Sequence, residues 1–261
     1  MLSSPTILVF DSGLGGLTVL REIVKVRPDA GFLYVADDAF FPYGSHGEAE
    51  LIDRVTALVG ELIDAHRPDI IVIACNTAST LVLPQLRARF ATPFIGTVPA
   101  IKPACAASRT RLVSVLGTEA TVKREYTRAL IRDFANGSEV TLVGAARLAA
   151  FAEAELNGAP VEDAAIAQEI APCFVARDGR RTDIIVLACT HYPLLLARLE
   201  RLAPWPVTFI DPAPAIARRL VDLAGPPTAH ELPVRAEIVF TSGREASPAL
   251  RTVLAQFGIG P

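Results

Sequence analysis

Two cysteines stand at equivalent positions of a repeated segment. The sequence DIIVIACNTAS covers residues 69–79, and the closely similar DIIVLACTHYP covers residues 183–193. Each apolar run ends at a cysteine, which is Cys75 in the first copy and Cys189 in the second. A single free cysteine at the end of a strand is most often a packing residue. Two in matched positions, each followed by polar residues, instead predict a pair of acid/base groups.

The pattern of each repeat predicts a strand that leads into a helix. Its uninterrupted β-branched and apolar residues are typical of a strand buried on both faces of a parallel sheet. Asn76, Thr77 and Thr190 then supply side chains that commonly open helices. Ligands of open α/β sheets bind at the carboxyl ends of strands, and the positive end of a helix favours thiolate over thiol. We therefore expect both thiols to be reactive and to lie at ligand-binding edges.

Composition indicates a globular protein with a large core. The chain has 261 residues, of which 51% are apolar and 20% charged, so it suits one large or two medium domains. Its net charge of −3 gives no sign of a nucleic-acid or anionic-membrane partner. No apolar run approaches the roughly 20 residues of a membrane-spanning helix. The first ten residues lack the organisation of a signal peptide, so we expect a cytoplasmic protein.

The first 95 or so residues predict the order βαβαβα, which the right-handed crossover rule turns into an open parallel sheet. Pro99 and Pro103 then mark a plausible change of domain. The remaining predicted strands cover 112–116, 140–146, 206–211 and 236–243, and the remaining predicted helices include 122–134, 164–176 and 214–223.

Polar residues near the first two strands are further candidates. Asp11 follows the first strand in the same layer as Cys75, although it also suits an Asx turn or a helix cap. The Gly-rich turn at 11–16 can hold an anion on its amides, but it matches neither a dinucleotide fingerprint nor a Walker loop. The Pro-Tyr-Gly-Ser segment at 42–45 is ordinary turn chemistry, or else a place where the Tyr43 hydroxyl and nearby amides hold a carboxylate.

The residues present argue against several classes of enzyme. A thiolate phosphatase needs an arginine six residues after its cysteine, where this chain has Leu81 and Leu195. A cysteine–histidine amidase would leave one matched cysteine unexplained. The three lysines are poorly placed for pyridoxal phosphate, and the four histidines are too scattered for a metal centre. We therefore expect no cofactor and no metal, and general acid/base groups on both sides of one carbon, as in racemisation or epimerisation.

The sequence resembles the glutamate racemases, which belong to the cofactor-independent aspartate/glutamate racemase superfamily. The segments that carry the resemblance occur in family order and extend over most of the chain. They are FDSGLGGLTVLREI (10–23), FPYGS (41–45), ACNTAST (74–80), LGTEATV (116–122) and ACTHYP (188–193).

The resemblance implies an α/β protein with two similar open parallel-sheet domains and the active site in the cleft between them. Residues 1–97 and 210–261 would form the first domain with Cys75, and residues 98–209 the second domain with Cys189. It also implies racemisation of L-glutamate to D-glutamate for bacterial peptidoglycan synthesis, and a possible homodimer.

By resemblance, Cys75 and Cys189 are the two bases. Asp11 is similar to the carboxylate that assists Cys75, and His191 to the histidine that assists Cys189. Glu153 is similar to a second-domain glutamate, although its flanks are Ala-rich here. The implied substrate contacts are Asp11, Ser12, Pro42, Tyr43, Gly44, Ser45, Asn76, Thr77, Thr118, Thr121, Thr190 and His191.

Some residues depart from the family pattern. Phe40 and Phe41 replace small or basic residues before Pro42 and could alter the mouth of the pocket. Arg124 stands where a serine is common, with no catalytic consequence expected. Ser79 favours glutamate, because relatives that prefer aspartate carry histidine there. Two alternatives stay open, namely a racemase or isomerase of another small acid such as aspartate and a non-catalytic amino-acid-binding module.

Overall fold

A computed structural model describes residues 4–227, 235–257 and 259. Two parallel sheets organise the chain. The first sheet consists of β1 (Thr6–Asp11), β2 (Gly31–Ala36), β3 (Ile70–Ile73), β4 (Phe94–Gly96) and β11 (Arg235–Phe240). Its strands lie in the order β11-β2-β1-β3-β4, so the last strand of the chain returns to the first sheet.

The second sheet lies between these segments in sequence. It consists of β5 (Leu112–Gly117), β6 (Glu139–Gly144), β9 (Ile184–Ala188) and β10 (Thr208–Ile210), in the order β10-β9-β5-β6. All its neighbouring strands are parallel. A separate antiparallel hairpin joins β7 (Ala176–Arg177) to β8 (Arg180–Arg181).

Helices cover both faces of each sheet. They are α1 (Leu17–Val26), α2 (Glu48–His66), α3 (Asn76–Arg89), α4 (Ile101–Ala107), α5 (Glu119–Lys123), α6 (Glu125–Phe134), α7 (Leu148–Leu156), α8 (Asp163–Ile170), α9 (Leu196–Leu202), α10 (Ala213–Ala224) and α11 (Pro248–Gln256). No helix within the described ranges is both long and apolar enough to cross a bilayer.

The core consists of four apolar clusters, one on each face of each sheet. On the first sheet, α1, α10 and α11 contribute to one cluster, and α2 and α3 contribute to the other. On the second sheet, α7, α8 and α9 lie over one face, and α4 and α6 lie over the other. We call the first sheet with its five helices the first domain, and the second sheet with α4–α9 the second domain. Strands covered on both faces explain the unbroken apolar runs of the sequence.

Two predicted helices were too long. The segment predicted as one helix at 122–134 is divided into α5 and α6 at Arg124, whose backbone is extended with φ −64° and ψ 138°. The helix predicted at 164–176 ends at Ile170 and is followed by a short 3-10 turn. Pro172 in that turn has no amide hydrogen to continue the helix, and its ring clashes with the preceding turn.

Candidate active site

Both repeated cysteines line one narrow cavity between the two domains. The cavity has a volume of about 20 Å³, which is room for about one water molecule. Among the described residues, its lining from the first domain is Ser12, Phe41, Pro42, Tyr43, Gly44, Cys75, Asn76 and Thr77. Its lining from the second domain is Thr118, Ala149, Cys189, Thr190 and His191. The carboxyl edges of the two sheets therefore face each other, as an α/β architecture requires of a binding cleft.

Four of the predicted site residues do not line the cavity, namely Asp11, Ser45, Thr121 and Glu153. Asp11 lies behind it, where it accepts hydrogen bonds from the Gly13 amide at 3.0 Å and the Thr190 hydroxyl at 3.1 Å. Thr121 likewise lies behind the wall, and Ser45 donates to the Pro42 carbonyl of its own loop at 2.8 Å.

Hydroxyl groups join the two domains across the cavity. The Thr77 hydroxyl lies 3.0 Å from that of Thr118 and 3.2 Å from that of Thr121. Thr18 donates to the Thr190 carbonyl at 3.2 Å. These contacts fix the distance between the two sheet edges.

Cys75 lies directly at the junction of a strand and a helix. It occupies the N-cap position of α3, and its thiol donates to the Ser12 hydroxyl at a sulfur–oxygen distance of 3.7 Å. Burial and then the nearby charge of Asp11 raise the pKa of Cys75 to about 12. The hydrogen bond from the Ala78 amide of the helix lowers that pKa, as the helix position predicts, but burial outweighs it. Cys75 is a thiol at neutral pH.

Cys189 has a charged partner. Its sulfur lies 3.8 Å from Nδ1 of His191, and Nε2 of that ring lies 2.8 Å from a carboxylate oxygen of Glu153. Burial alone lowers the pKa of His191, but the hydrogen bonds to Cys189 and Glu153, with their charges, raise it well above the ordinary value. This shift favours the imidazolium form of the ring, whose Nε2 also lies 3.2 Å from the Gly15 amide nitrogen. The sulfur, the ring and the carboxylate form one chain.

Asp11 interacts electrostatically with His191 and Glu153. Burial raises the pKa of Asp11, while the charge of His191 and the hydrogen bonds from Gly13 and Thr190 oppose that rise. Within the described residues, Asp11 makes no hydrogen bond to Cys75 and influences it through space. The residue predicted to assist Cys75 therefore contacts the second domain instead.

The Gly-rich turn after β1 receives side chains from the second domain. The amide of Leu14 donates to Glu153, so the predicted anion-binding turn holds an internal carboxylate. A β-carbon added to Gly15 would lie 2.4 Å from Nδ1 of His191 and 2.7 Å from its main-chain nitrogen. Glycine is required there because no side chain fits between the turn and His191.

Tyr43 supports the wall of the cavity with its hydroxyl. That hydroxyl donates to Asp37 at 2.7 Å, and Arg54 donates to both oxygens of the same carboxylate at 2.6 and 3.1 Å. Burial raises the pKa of Asp37, but the donors Arg54, Thr241 and Tyr43 outweigh burial and hold it below its usual value. The hydroxyl proton of Tyr43 is therefore already donated and is not offered to a ligand.

Asn76 is the clearest polar group without a partner at the cavity. Both its amide nitrogen and its amide oxygen are buried and have no hydrogen-bond partner among the described residues. Leaving a buried donor and acceptor unpaired costs about 1–3 kcal/mol for each group. The cavity is consequently suited to a ligand that carries both hydrogen-bond donors and acceptors.

Two lining residues were not among the predicted substrate contacts, although Phe41 was expected to affect the mouth of the pocket. Phe41 and Ala149 line the cavity, and only Phe41 had a signal, since it precedes the Pro-Tyr-Gly segment. Ser79 lies outside the lining, where it donates to the Ile73 carbonyl at 2.7 Å and accepts from the Thr97 amide. Over the residues described, no three His, Cys, Asp or Glu side chains are grouped as metal ligands.

The sequence matches a known protein family over most of its length. A sequence model of the Asp/Glu/Hydantoin racemase family matches residues 9–220. A glutamate racemase of Brucella anthropi is 54% identical over 255 residues, which cover 97% of this chain and 92% of that protein.

Two solved structures match the fold of this chain over 98% of its length. Escherichia coli glutamate racemase in complex with L-glutamate and the activator UDP-MurNAc-ala matches with a TM-score of 0.87 and 37% identity, covering 98% of this chain and 96% of that one. The isoform RacE1 of glutamate racemase from Bacillus anthracis matches with a TM-score of 0.80, covering 98% and 94% of the two chains. It is 24% identical, so it bears on the fold alone.

Proposed function

The chain belongs to the Asp/Glu/Hydantoin racemase family, and we propose that it interconverts L- and D-glutamate through Cys75 and Cys189. The observation that carries this proposal is the pair of thiols, one from each domain, that line a single cavity. An α-carbon held between them can lose its proton to one sulfur, which leaves a planar carbanion, and that carbanion can take a proton from the other sulfur. The choice of glutamate rests on relatives that carry that name, one of them solved with L-glutamate.

In the L-to-D direction, Cys189 begins as the base. The imidazolium of His191 stabilises a thiolate beside it, and that thiolate takes the α-proton of L-glutamate. The electron pair of the broken C–H bond remains on the α-carbon and spreads into the carboxylate. The Cys75 thiol, which the raised pKa keeps protonated, then donates its proton to the opposite face.

Each turnover exchanges the protonation states of the sulfurs. After L-to-D conversion Cys189 carries a proton and Cys75 does not, which is the state needed to convert D-glutamate. The high pKa of Cys75 makes its thiolate a strong base for that reverse step. One structure therefore supports both directions without a further reagent.

The substrate contacts start from Asn76, whose unpaired amide offers a donor and an acceptor. Thr77 and Thr190 line the same cavity from the two domains, and their hydroxyls would exchange their present partners for the substrate. Because the cavity is about 20 Å³, glutamate enters only when the two domains separate, and closure then excludes water from the reacting carbon. Exclusion of water strengthens the contacts to the developing charge on the carboxylate.

The test is a chiral assay in D₂O on protein dialysed against a chelator, with no added cofactor. We expect pure L-glutamate and pure D-glutamate each to reach an equal mixture, with deuterium at the α-carbon of the product. Glutamate that binds without exchange of its α-proton would favour an amino-acid-binding module. Faster conversion of aspartate would favour another acid racemase, and activity that returns only with one added cofactor would contradict the cofactor-free mechanism.

Further parts of the proposal concern the setting of the enzyme. We infer that its D-glutamate serves bacterial peptidoglycan synthesis, that it acts in the cytoplasm and that it can form a homodimer. We also propose domain boundaries at 1–97 with 210–261, and at 98–209. The return of β11 to the first sheet supports that division, and β10 of the second sheet ends at Ile210, one residue beyond the proposed boundary.

A further inference from the structure

Two adjacent phenylalanines of the loop between β2 and α2 point to different domains. Phe40 packs against the core of its own domain, where its ring is stacked on His46 at a centroid distance of 3.7 Å. Phe41 instead packs against the core cluster of the second domain and lines the cavity. Both side chains are half-buried. The loop therefore carries one aromatic ring across the cleft.

The ring of Phe41 lies against the partners of Cys189. Its centroid is 5.5 Å from that of His191, and the two planes are tilted by 46°. A β-carbon added to Gly13 would lie 3.2 Å from Cδ2 of Phe41 and 2.3 Å from Oε1 of Glu153. The edge of the ring and the carboxylate oxygen thus share the space above Gly13.

We propose that Phe41 is a positioning residue for the half of the reaction that Cys189 performs, which rests on the proposed function. Its ring covers the His191–Glu153 pair and keeps water from that pair when the domains close. His191 is only 2% exposed although Glu153 beside it retains 15% of its side-chain exposure. Hydrogen bonds in a site without water are stronger and better oriented, so the ring holds the imidazolium against the sulfur.

The role concerns one of the two thiols. Cys75 has a neutral hydroxyl partner in Ser12, and that partner comes from the same domain. The partners of Cys189 reach across the cleft, where the Leu14 amide and the Phe41 ring of the first domain complete their surroundings. Removing the ring should therefore slow proton transfer at Cys189 and leave proton transfer at Cys75 little changed.

L- and D-glutamate are equally stable, so kcat/KM must be the same in both directions in every variant. Rates therefore cannot tell the two thiols apart, but isotope effects can. The measurement is the primary deuterium effect on kcat/KM with α-deuterated L-glutamate and with α-deuterated D-glutamate. For Phe41→Ala we expect a loss of turnover on the order of tenfold or more. The isotope effect should become larger with L-glutamate, where Cys189 removes the deuteron. It should become smaller with D-glutamate, where Cys75 removes the deuteron.

Matched variants complete the test. Phe41→Leu, which keeps an apolar cover, should restore wild-type isotope effects, and Phe40→Ala should leave them unchanged. If Phe41→Ala does not fold, Phe41→Gln takes its place, because it has a similar reach and attracts water. Isotope effects that change equally from both enantiomers, or not at all, would overturn the role of Phe41 while leaving the racemase intact. A wild-type protein that exchanges no α-proton would instead overturn the proposed function and this role with it.

Discussion

The surroundings of Cys75 and Cys189 differ far more than the repeated strands that carry them. After β3 the chain enters α3 at once, so that Cys75 is the helix N-cap and its sulfur meets a neutral hydroxyl. After β9 the chain passes through Thr190, His191 and a 3-10 turn before α9 begins. The two strands are alike, and the residues that follow them place a neutral group by one sulfur and a cation by the other.

This difference provides what a two-base reaction requires. In the proposed mechanism the two sulfurs hold opposite protonation states, and unequal surroundings favour one arrangement of those states over the other. Burial without a cation keeps Cys75 protonated, whereas His191 places positive charge beside Cys189. The two similar strands thus carry thiols whose neighbours differ in charge.

The largest effect should come from the thiols themselves. Replacing either Cys75 or Cys189 by serine should reduce racemisation on the order of 10³-fold or more, since a hydroxyl is a far weaker acid and a poor base. In D₂O, Cys75→Ser should suppress α-proton loss chiefly from D-glutamate, and Cys189→Ser chiefly from L-glutamate. Cys105→Ser is the control, because Cys105 is a buried free cysteine away from the cavity. Unchanged racemisation in either variant would rule out the two-thiol mechanism.

The next effect should follow from closing the space between the Gly-rich turn and His191. Gly15→Ala places a methyl group 2.4 Å from the imidazole nitrogen, so the histidine or the turn must move. We expect roughly a 10²-fold loss of turnover, with a larger α-deuterium isotope effect from L-glutamate. Gly31→Ala is the control, because an added β-carbon there meets nothing within 4 Å. A fully active Gly15→Ala enzyme would show that the position of His191 is unimportant.

A smaller effect should separate the assisting groups. His191→Asn removes the cation beside Cys189, and Asp11→Asn removes a charge that acts on Cys75 through space. We expect losses of about tenfold, an order or more below those of the thiol variants. Single-direction α-proton exchange should be impaired from L-glutamate in the first variant and from D-glutamate in the second. Equal impairment from both enantiomers would contradict this division.

The smallest effect concerns stability. The folded-state pKa of His191 lies well above its unfolded value of about 6.5, so its charge contributes fully below that pH and is lost as pH rises through the folded pKa. Urea titrations should show wild type more stable than His191→Asn by about 1 kcal/mol near pH 6. The difference should shrink at alkaline pH. A difference that grows with pH would show that His191 is neutral in the fold.

Much of this arrangement could be predicted from local pattern. The apolar runs fixed strands such as β3 and β9, and residues after them marked one sheet edge as the site. The helix break at Arg124 has no local signal, and the guanidinium of that residue pairs with Glu48 of the other domain. The pKa of Cys75 could not be predicted from the sequence pattern either, because it depends on how completely the neighbouring domain buries the sulfur.

The directions in which side chains point could not be predicted from the sequence either. Nothing in the segment FFPYG indicates that Phe41 crosses the cleft while Phe40 turns back, or that the Tyr43 hydroxyl is already bonded to Asp37. Ala149 carries no pattern at all, because alanine at the start of α7 is ordinary helix composition. Such facts depend on the contact of two domains, which a single segment does not encode.

The chain passes between the two sheets twice, and the two passages lie side by side. Val98, Pro99 and Ala100 line one groove of about 380 Å³ together with Pro212, Ala215 and Ile216, on a different part of the surface from the thiols. Two neighbouring connections allow rotation about the line that joins them and resist twisting and sliding. In the proposed reaction, opening about this line would separate the sulfurs along one arc, and closing would return them to the same relative position.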